Sequence, residues 1–313
     1  MIKQSFSYRF DVEQTLNSIV SINTRIPENS FSAEILGTER KGYGTVIRDD
    51  GLIVTIGYVI TEAESIWIGY SKDNIVPGYV VGNDYDSGIG LVKPLMPINL
   101  PVVEFGTTKD MTVGDPVLVA SSGGSGHMME SRVVGKHEFA GRWEYVLDEA
   151  VFTSPVNSDW AGAALIGEDG KLYGVGCLLI QEMKKDKVMD GSNMFVPIDI
   201  LTPIMDELCQ YGGRRSSARP WLGMLVEEEL GHLVVMGVFH KCPADCSGLK
   251  PGDIIVAINN KPVEELAMLY RSIWSMGNAG VEIPFKVIRE SNTIDIIVKS
   301  SDRESSMRLG LIN

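Results

Sequence analysis

From about residue 40 to residue 200 the chain is cut into short runs of β-branched and aromatic residues by tight-turn signals, and that rhythm excludes most folds at once. Residues 44–48, 52–55 and 65–70 are three such runs. Asp49-Asp50-Gly51 separates the first two and is a strong hairpin signal, because aspartate and glycine accept the backbone angles of a tight turn. Further strands are predicted at 79–82, 89–94, 116–120, 130–138, 144–152, 163–166, 172–179 and 194–197, with Glu168-Asp169-Gly170-Lys171 as another turn. So many short strands predict an all-β barrel or sandwich pair rather than a parallel α/β sheet. Helical patterns in this part are confined to 11–22 and 197–211.

Gly212-Gly213-Arg214-Arg215-Ser216-Ser217-Ala218-Arg219-Pro220 reads as a linker, with paired glycines, small polar residues and a proline after a helical pattern. A separate module follows, with strands at 222–226, 233–238, 254–258, 283–288 and 293–298 and a helix at 263–275. The expected division is an extension (1–11), a large first domain (12–211), a linker (212–219), a small second domain (220–303) and a tail (304–313). Alternating Phe6, Tyr8 and Phe10 read as a strand, a core segment or an oligomer contact.

Charge narrows the partners. The net charge is −13, and residues 1–217 carry 18 Lys+Arg against 29 Asp+Glu while residues 218–313 carry 10 against 12. An acidic first domain repels phosphate backbones, so nucleic acid is not an expected partner. No run approaches the ~20 apolar residues of a membrane span, and the start shows no secretory leader pattern, so a cytoplasmic protein is expected. Cys177, Cys209, Cys242 and Cys246 are too few for a disulfide framework. Cys242-Pro243-Ala244-Asp245-Cys246 has metal-like spacing but no second ligand pair, so neither a metal nor a cofactor is expected.

Three motifs, met in order, carry a resemblance. Gly42-Tyr43-Gly44-Thr45-Val46-Ile47 is followed by Gly51-Leu52-Ile53-Val54-Thr55-Ile56-Gly57-Tyr58-Val59-Ile60. Asp84-Tyr85-Asp86-Ser87-Gly88-Ile89-Gly90-Leu91-Val92-Lys93 comes next, and then the loop from Asn157 through Leu165. The chain resembles the HtrA (DegP-like) family over roughly residues 12–300. The resemblance implies a trypsin-like double six-stranded β-barrel followed by a small α+β PDZ domain. On that alignment Tyr58 stands at the catalytic histidine position, Gly88 at the aspartate and Ala161 at the serine. Asp159 and Trp160 replace small residues of the oxyanion loop.

A serine-protease triad needs a nucleophile, a base and a carboxylate that orients the base. A phenol titrating near ~10 is a poor base at neutral pH, glycine orients nothing, and a methyl group cannot attack a carbonyl. The expectation is a pseudoprotease. The alternative is an endopeptidase with relocated catalytic residues, for which Ser121-Ser122-Gly123-Gly124-Ser125-Gly126-His127 is the nearest hydroxyl–imidazole cluster, though such clusters usually mark a turn. Cys177, in the region of the family's specificity pocket, reads as a buried small hydrophobe.

The second module carries Ser247-Gly248-Leu249-Lys250-Pro251-Gly252-Asp253-Ile254-Ile255, a close match to PDZ domains, with Pro251-Gly252-Asp253 as a turn into a buried strand. Trp221-Leu222-Gly223-Met224 is similar to their carboxylate-binding loop. Consecutive N–H groups at Leu222, Gly223 and Met224 would capture a carboxylate, the next strand would add a peptide by β-augmentation, and Leu266 and Leu269 would wall the groove. Such a groove takes the C-terminus or an extended segment of a partner, or is filled by the chain itself. Glu227-Glu228-Glu229 reads as a solvated turn. The resemblance also implies a homo-oligomer, a trimer as in the family, or an active HtrA homologue as partner.

Overall fold

The computed structural model describes residues 8–71, 74–181, 183–184, 187–188, 191–216 and 218–307. The described residues fall into two compact units: 8–137 with 149–215, and 138–148 with 216–307.

The first unit holds two closed six-stranded antiparallel barrels. Strands β1 (Ile19–Arg25), β2 (Glu39–Val46), β3 (Ile53–Ile56), β4 (Ser65–Tyr70), β5 (Asn74–Asp84) and β6 (Ile89–Pro94) form the first, ordered β1-β2-β3-β6-β5-β4 and closed by β4 on β1. β3 is buried at every position, and its Ile53 and Ile56, like Ile22, Ile68 and Leu91 of the same barrel, have no exposed surface. The second barrel uses β7 (Pro116–Ala120), β8 (Met128–Gly141), β9 (Tyr145–Ser154), β10 (Ala164–Ile166), β11 (Leu172–Ile180) and, after a ribbon of β12 (Met183–Lys184) and β13 (Lys187–Val188), β14 (Ser192–Pro197). Val117, Val119, Val133, Val151, Leu165 and Phe195 fill its core. The far ends of β8 and β9, with the turn between them, are the Glu138–Asp148 segment that belongs to the second unit.

Two helical expectations are corrected. Helix α1 (Val12–Leu16) begins under an Asp11 cap that accepts from the Gln14 N–H at 3.0 Å, but it ends before β1. The predicted helix over 11–22 is cut because Val20, Ile22 and Thr24 are buried while Ser21 and Asn23 are half-buried, a period of two, and the strand pairs on both sides. Four-residue helices α2 (Ala33–Leu36) and α3 (Gly57–Ile60) follow. The predicted helix over 197–211 survives only as α4 (Met205–Tyr211), because Pro203 interrupts the pattern. Tyr8 and Phe10 are not strand residues; their rings meet edge-on at 5.6 Å and Tyr8 Oη donates to Glu130 at 2.8 Å. Phe6 lies outside the described residues.

The second unit is the small α+β module. Strands β15 (Met224–Glu229), β16 (His232–Val238), β17 (Ile254–Ile258), β19 (Glu282–Arg289) and β20 (Asn292–Lys299) form its sheet in that order, with β18 (Lys261–Pro262) on β17. Helices α5 (Pro243–Cys246), α6 (Leu266–Trp274) and α7 (Arg303–Ser306) complete it. Pro251-Gly252-Asp253 makes the predicted turn, with Gly252 at φ +89°. Asp253, without exposed surface, is held by two Arg289 bonds of 2.6 Å.

Candidate functional site

Two candidate sites emerge, one in each unit. In the first, β3 runs straight into α3, which carries Tyr58. Gly57 sits at the junction because a side chain there has no room: a Cβ would lie 2.3 Å from Asn83 Oδ1. The Gly57 N–H donates to the Gly88 carbonyl at 2.6 Å, so positions 58 and 88 are brought together. Beneath them lies Arg40, 6% exposed, donating to the carbonyls of Tyr58 (2.7 Å) and Thr61 (3.1 Å) and to Ser32 Oγ (2.7 Å). Burial pulls Arg40 down to about 10, opposed by the charge of Glu62.

Tyr58 donates its hydroxyl to the Cys177 carbonyl at 3.0 Å. Burial pushes the phenol far above its ordinary range, so it stays protonated at any physiological pH. Gly88 adopts φ +77°. The nearby carboxylate, Asp84, is 3% exposed and clamped by two Arg214 bonds of 2.7 Å, together with the Ser87 hydroxyl. Cys177 is buried and its thiol is pushed up to about 12 by desolvation, which leaves it unreactive.

The loop from Asn157 to Ala163 supplies the other wall. The Ala161 carbonyl accepts from the Tyr43 N–H at 2.7 Å, and the Gly162 N–H donates to Gly176 O at 2.8 Å. Gly162, at φ +77°, admits no side chain, since a Cβ would lie 2.0 Å from the Tyr43 carbonyl. The Asp159 N–H donates to Asn157 Oδ1 at 2.9 Å, so that backbone donor is already committed. Asn157 is locked in turn, its N–H on Asn193 Oδ1 at 2.6 Å. The Asp159 carboxylate lies 3.4 Å from Ser121 Oγ and 3.3 Å from His127 Nδ1, and it also receives the Tyr43 hydroxyl. Burial and this carboxylate push Tyr43 up to about 12. Ser121 Oγ also donates to the His127 main-chain carbonyl at 3.0 Å. The Ser121–His127 segment therefore folds onto Asp159, but its hydroxyl engages a carbonyl and a carboxylate rather than the imidazole. Tyr43 was not singled out by sequence; its place beside a glycine-rich strand gave no signal.

In the second unit, Trp221 is tied to Ser301 by a pair of 2.9 Å main-chain bonds, which fixes the start of the Trp221–Met224 loop. Gly223 takes φ +76°, and a Cβ there would lie 2.5 Å from Cys242 Cβ. The N–H groups of Leu222, Gly223 and Met224 converge on a carboxyl group, but it is that of Glu144 in the same chain. Leu222 donates to Oε2 at 3.0 Å, and Gly223 and Met224 donate to Oε1 at 2.7 and 3.1 Å. Glu144 lies in the turn between β8 and β9 at φ +59°. It is 6% exposed, and burial pushes its carboxyl up to about 7, while the three N–H groups and Arg303 pull the other way. The Val226 N–H on β15 donates to the Arg142 carbonyl at 3.0 Å, and Arg142 Nη1 meets Glu227 at 2.8 Å. Arg271 on α6 grips Glu138 and Asp148, one on each arm of the hairpin.

Leu266 and Leu269 are buried in one cluster with Leu222, Met224, Val226 and Val146, and Ala140 packs on it. Glu227 and Glu228 are not merely solvated: Glu228 accepts the Leu266 N–H at 2.6 Å, capping α6. No sequence signal marked Glu144, an acidic residue in a hairpin turn 78 to 80 positions before the loop it fills. Cys242 and Cys246 are free thiols. Among the described residues no His, Cys, Asp and Glu group could hold a metal ion, and no helix is long and apolar enough to cross a membrane.

Comparison with known proteins agrees with this geometry. Residues 42–175 match the trypsin-like peptidase domain model and residues 220–299 the PDZ domain model. A probable periplasmic serine endoprotease, DegP-like, of Buchnera aphidicola subsp. Baizongia pistaciae (strain Bp) is 25% identical over 343 residues, covering 97% of this chain and 72% of that protein. A protein of the same name from Chlamydia pneumoniae is 27% identical over 283 residues, covering 83% of this chain and 55% of its own length. The solved HtrA-type protease AlgW with tripeptide shares the fold, with TM-score 0.55, 18% identity and coverage of 93% of this chain and 96% of that one. The expectation of a cytoplasmic protein is overturned, because these relatives are named periplasmic and point to the periplasm instead.

Proposed function

We propose that this chain, a trypsin-like peptidase domain followed by a PDZ domain as in the HtrA/DegP proteins it resembles, is a member of that family without proteolytic chemistry: a pseudoprotease that holds peptides or protein segments through its PDZ module. The observation that carries this reading is what occupies the cleft. A half-buried, protonated phenol stands at 58, no side chain at 88 and a methyl group at 161, while the Asp159 N–H is spent on Asn157. Attack on a peptide bond needs a nucleophile, a base and backbone donors free to receive the oxyanion. Asp159 adds a negative charge where negative charge would have to develop. Peptide binding is supported by the N–H cage at Leu222, Gly223 and Met224, and by the related AlgW, solved with a tripeptide. Purified protein should leave casein intact and take no label from a fluorophosphonate probe; turnover that survives removal of trace contaminants, or a single labelled residue, refutes it.

The second reading is an endopeptidase with a relocated nucleophile. The relatives' names favour it, as does the gathering of Ser121, His127 and Asp159 within 3.4 Å contacts. Its mark would be labelling at Ser121 that the Ser121→Ala variant abolishes. The hydroxyl's bond to the His127 carbonyl, rather than to the ring, argues against this reading.

A further inference from the structure

We propose that the hairpin tip Glu138–Asp148 is the resident ligand of the PDZ groove, and that an external chain end binds only by displacing it. The proposal rests on the peptide-binding reading above and adds its regulation and the chemistry of its partner.

The tip makes three kinds of contact that a chain end would make in such a groove. A carboxylate receives three successive loop N–H groups. Two residues earlier, the backbone carbonyl of Arg142, in the hairpin turn, takes the β15 N–H of Val226, a single main-chain bond on the strand to which a peptide would add. Ala140 and Val146 pack on the apolar cluster that contains Leu266 and Leu269. Arg271 closes over both arms through Glu138 and Asp148. The occupant is also a template. Its Arg142 faces Glu227 at 2.8 Å and its Glu138 faces Arg271. The displacing partner is therefore a chain end with a free carboxylate, a basic residue two positions before it and an acidic residue six positions before it.

A tethered segment competes at an effective concentration of about millimolar, so it raises the apparent Kd of an external peptide by roughly tenfold or more. Ion pairs on the exposed rim contribute little, so the basic residue should tune affinity by a few-fold at most, by about the worth of a surface pair.

The test uses the full chain, its Glu144→Ala and Glu144→Gln variants, and a fluorescent peptide copying residues 138–144 with a free C-terminus. Amide hydrogen exchange at Leu222, Gly223 and Met224 should quicken at least tenfold in Glu144→Ala and less in Glu144→Gln. The Val235 amide, bonded to the Asp253 carbonyl at 2.9 Å within the module, should stay unchanged and so report intact folding. The peptide should bind Glu144→Ala at least tenfold more tightly than wild type, and a copy carrying Arg142→Glu should bind several-fold more weakly. Unchanged exchange at the three loop amides overturns the resident ligand. Equal peptide affinity for all three proteins overturns displacement alone. Faster exchange with no peptide bound by any form overturns the peptide-binding reading, and displacement with it.

Discussion

The barrel cleft and the PDZ loop are both backbone arrangements suited to an anion, and they are satisfied in opposite ways. In the cleft, the Asp159 N–H is taken by Asn157, two residues away in the same loop, and Asn157 is locked by the fully buried Asn193. In the loop, three N–H groups are taken by a glutamate 78 to 80 residues away, on a hairpin turn. A donor satisfied by its own loop cannot be released without refolding that loop. A donor satisfied by a remote hairpin is released when the hairpin leaves. The first arrangement is closed within its own loop, and the second depends on a distant segment of the chain.

Three experiments would break or sharpen that contrast. The largest effect should come from the cleft wall. Gly162→Ala forces a side chain into the left-handed region and against the Tyr43 carbonyl, for a loss of about 3 kcal/mol or more from strain and overpacking together. Urea unfolding monitored by tryptophan fluorescence measures it, and a loss below about 1 kcal/mol would mean the loop is not rigid.

The next effect is a pH dependence confined to the loop. The seated Glu144 carboxyl keeps its proton up to about 7, against 4.5 for an ordinary glutamate. The seated form binds the proton more tightly, so its pH-linked contribution to docking is complete below 4.5 and is lost as pH rises through 7. The groups facing it are Arg303 on α7, Tyr270 on α6 and Cys242 ahead of α5. Burial raises Tyr270 well above the window and Cys242 to about 12, so neither changes charge across it. Loop amides, corrected for intrinsic exchange, should be better protected at pH 5 than at pH 8; the opposite slope would mean that the N–H cage outweighs burial. The smallest effect should be none. Restoring Tyr58→His, Gly88→Asp and Ala161→Ser together should give no casein cleavage, because Asp159 and its committed N–H remain, and activity in that variant would show the cleft to be less closed than its bonds imply.

Much of this was legible in the sequence because it is local. Asp49-Asp50-Gly51 and Pro251-Gly252-Asp253 fold as the turns they spell, and Gly223 marks the left-handed step that turns three N–H groups the same way. The helix expected over 11–22 gives way because Leu16, Ile19 and Val20 fit a helical stripe, whereas the alternation from Val20 to Thr24 satisfies two neighbouring strands. What occupies the loop was not legible. Glu144 looks like any acidic turn residue until the chain is folded, and the same is true of Tyr43 beneath Asp159. Contacts between residues so far apart leave no periodic trace.

One consequence of the hairpin turn concerns sequence drift. At φ +59°, position 144 is a place where asparagine or glycine would be at ease and glutamate is strained by about 1 kcal/mol. The carboxylate is thus kept against the conformational preference of its own backbone. A single change to glycine would relax the turn and take the carboxylate from the three N–H groups of the Leu222–Met224 loop in the same step.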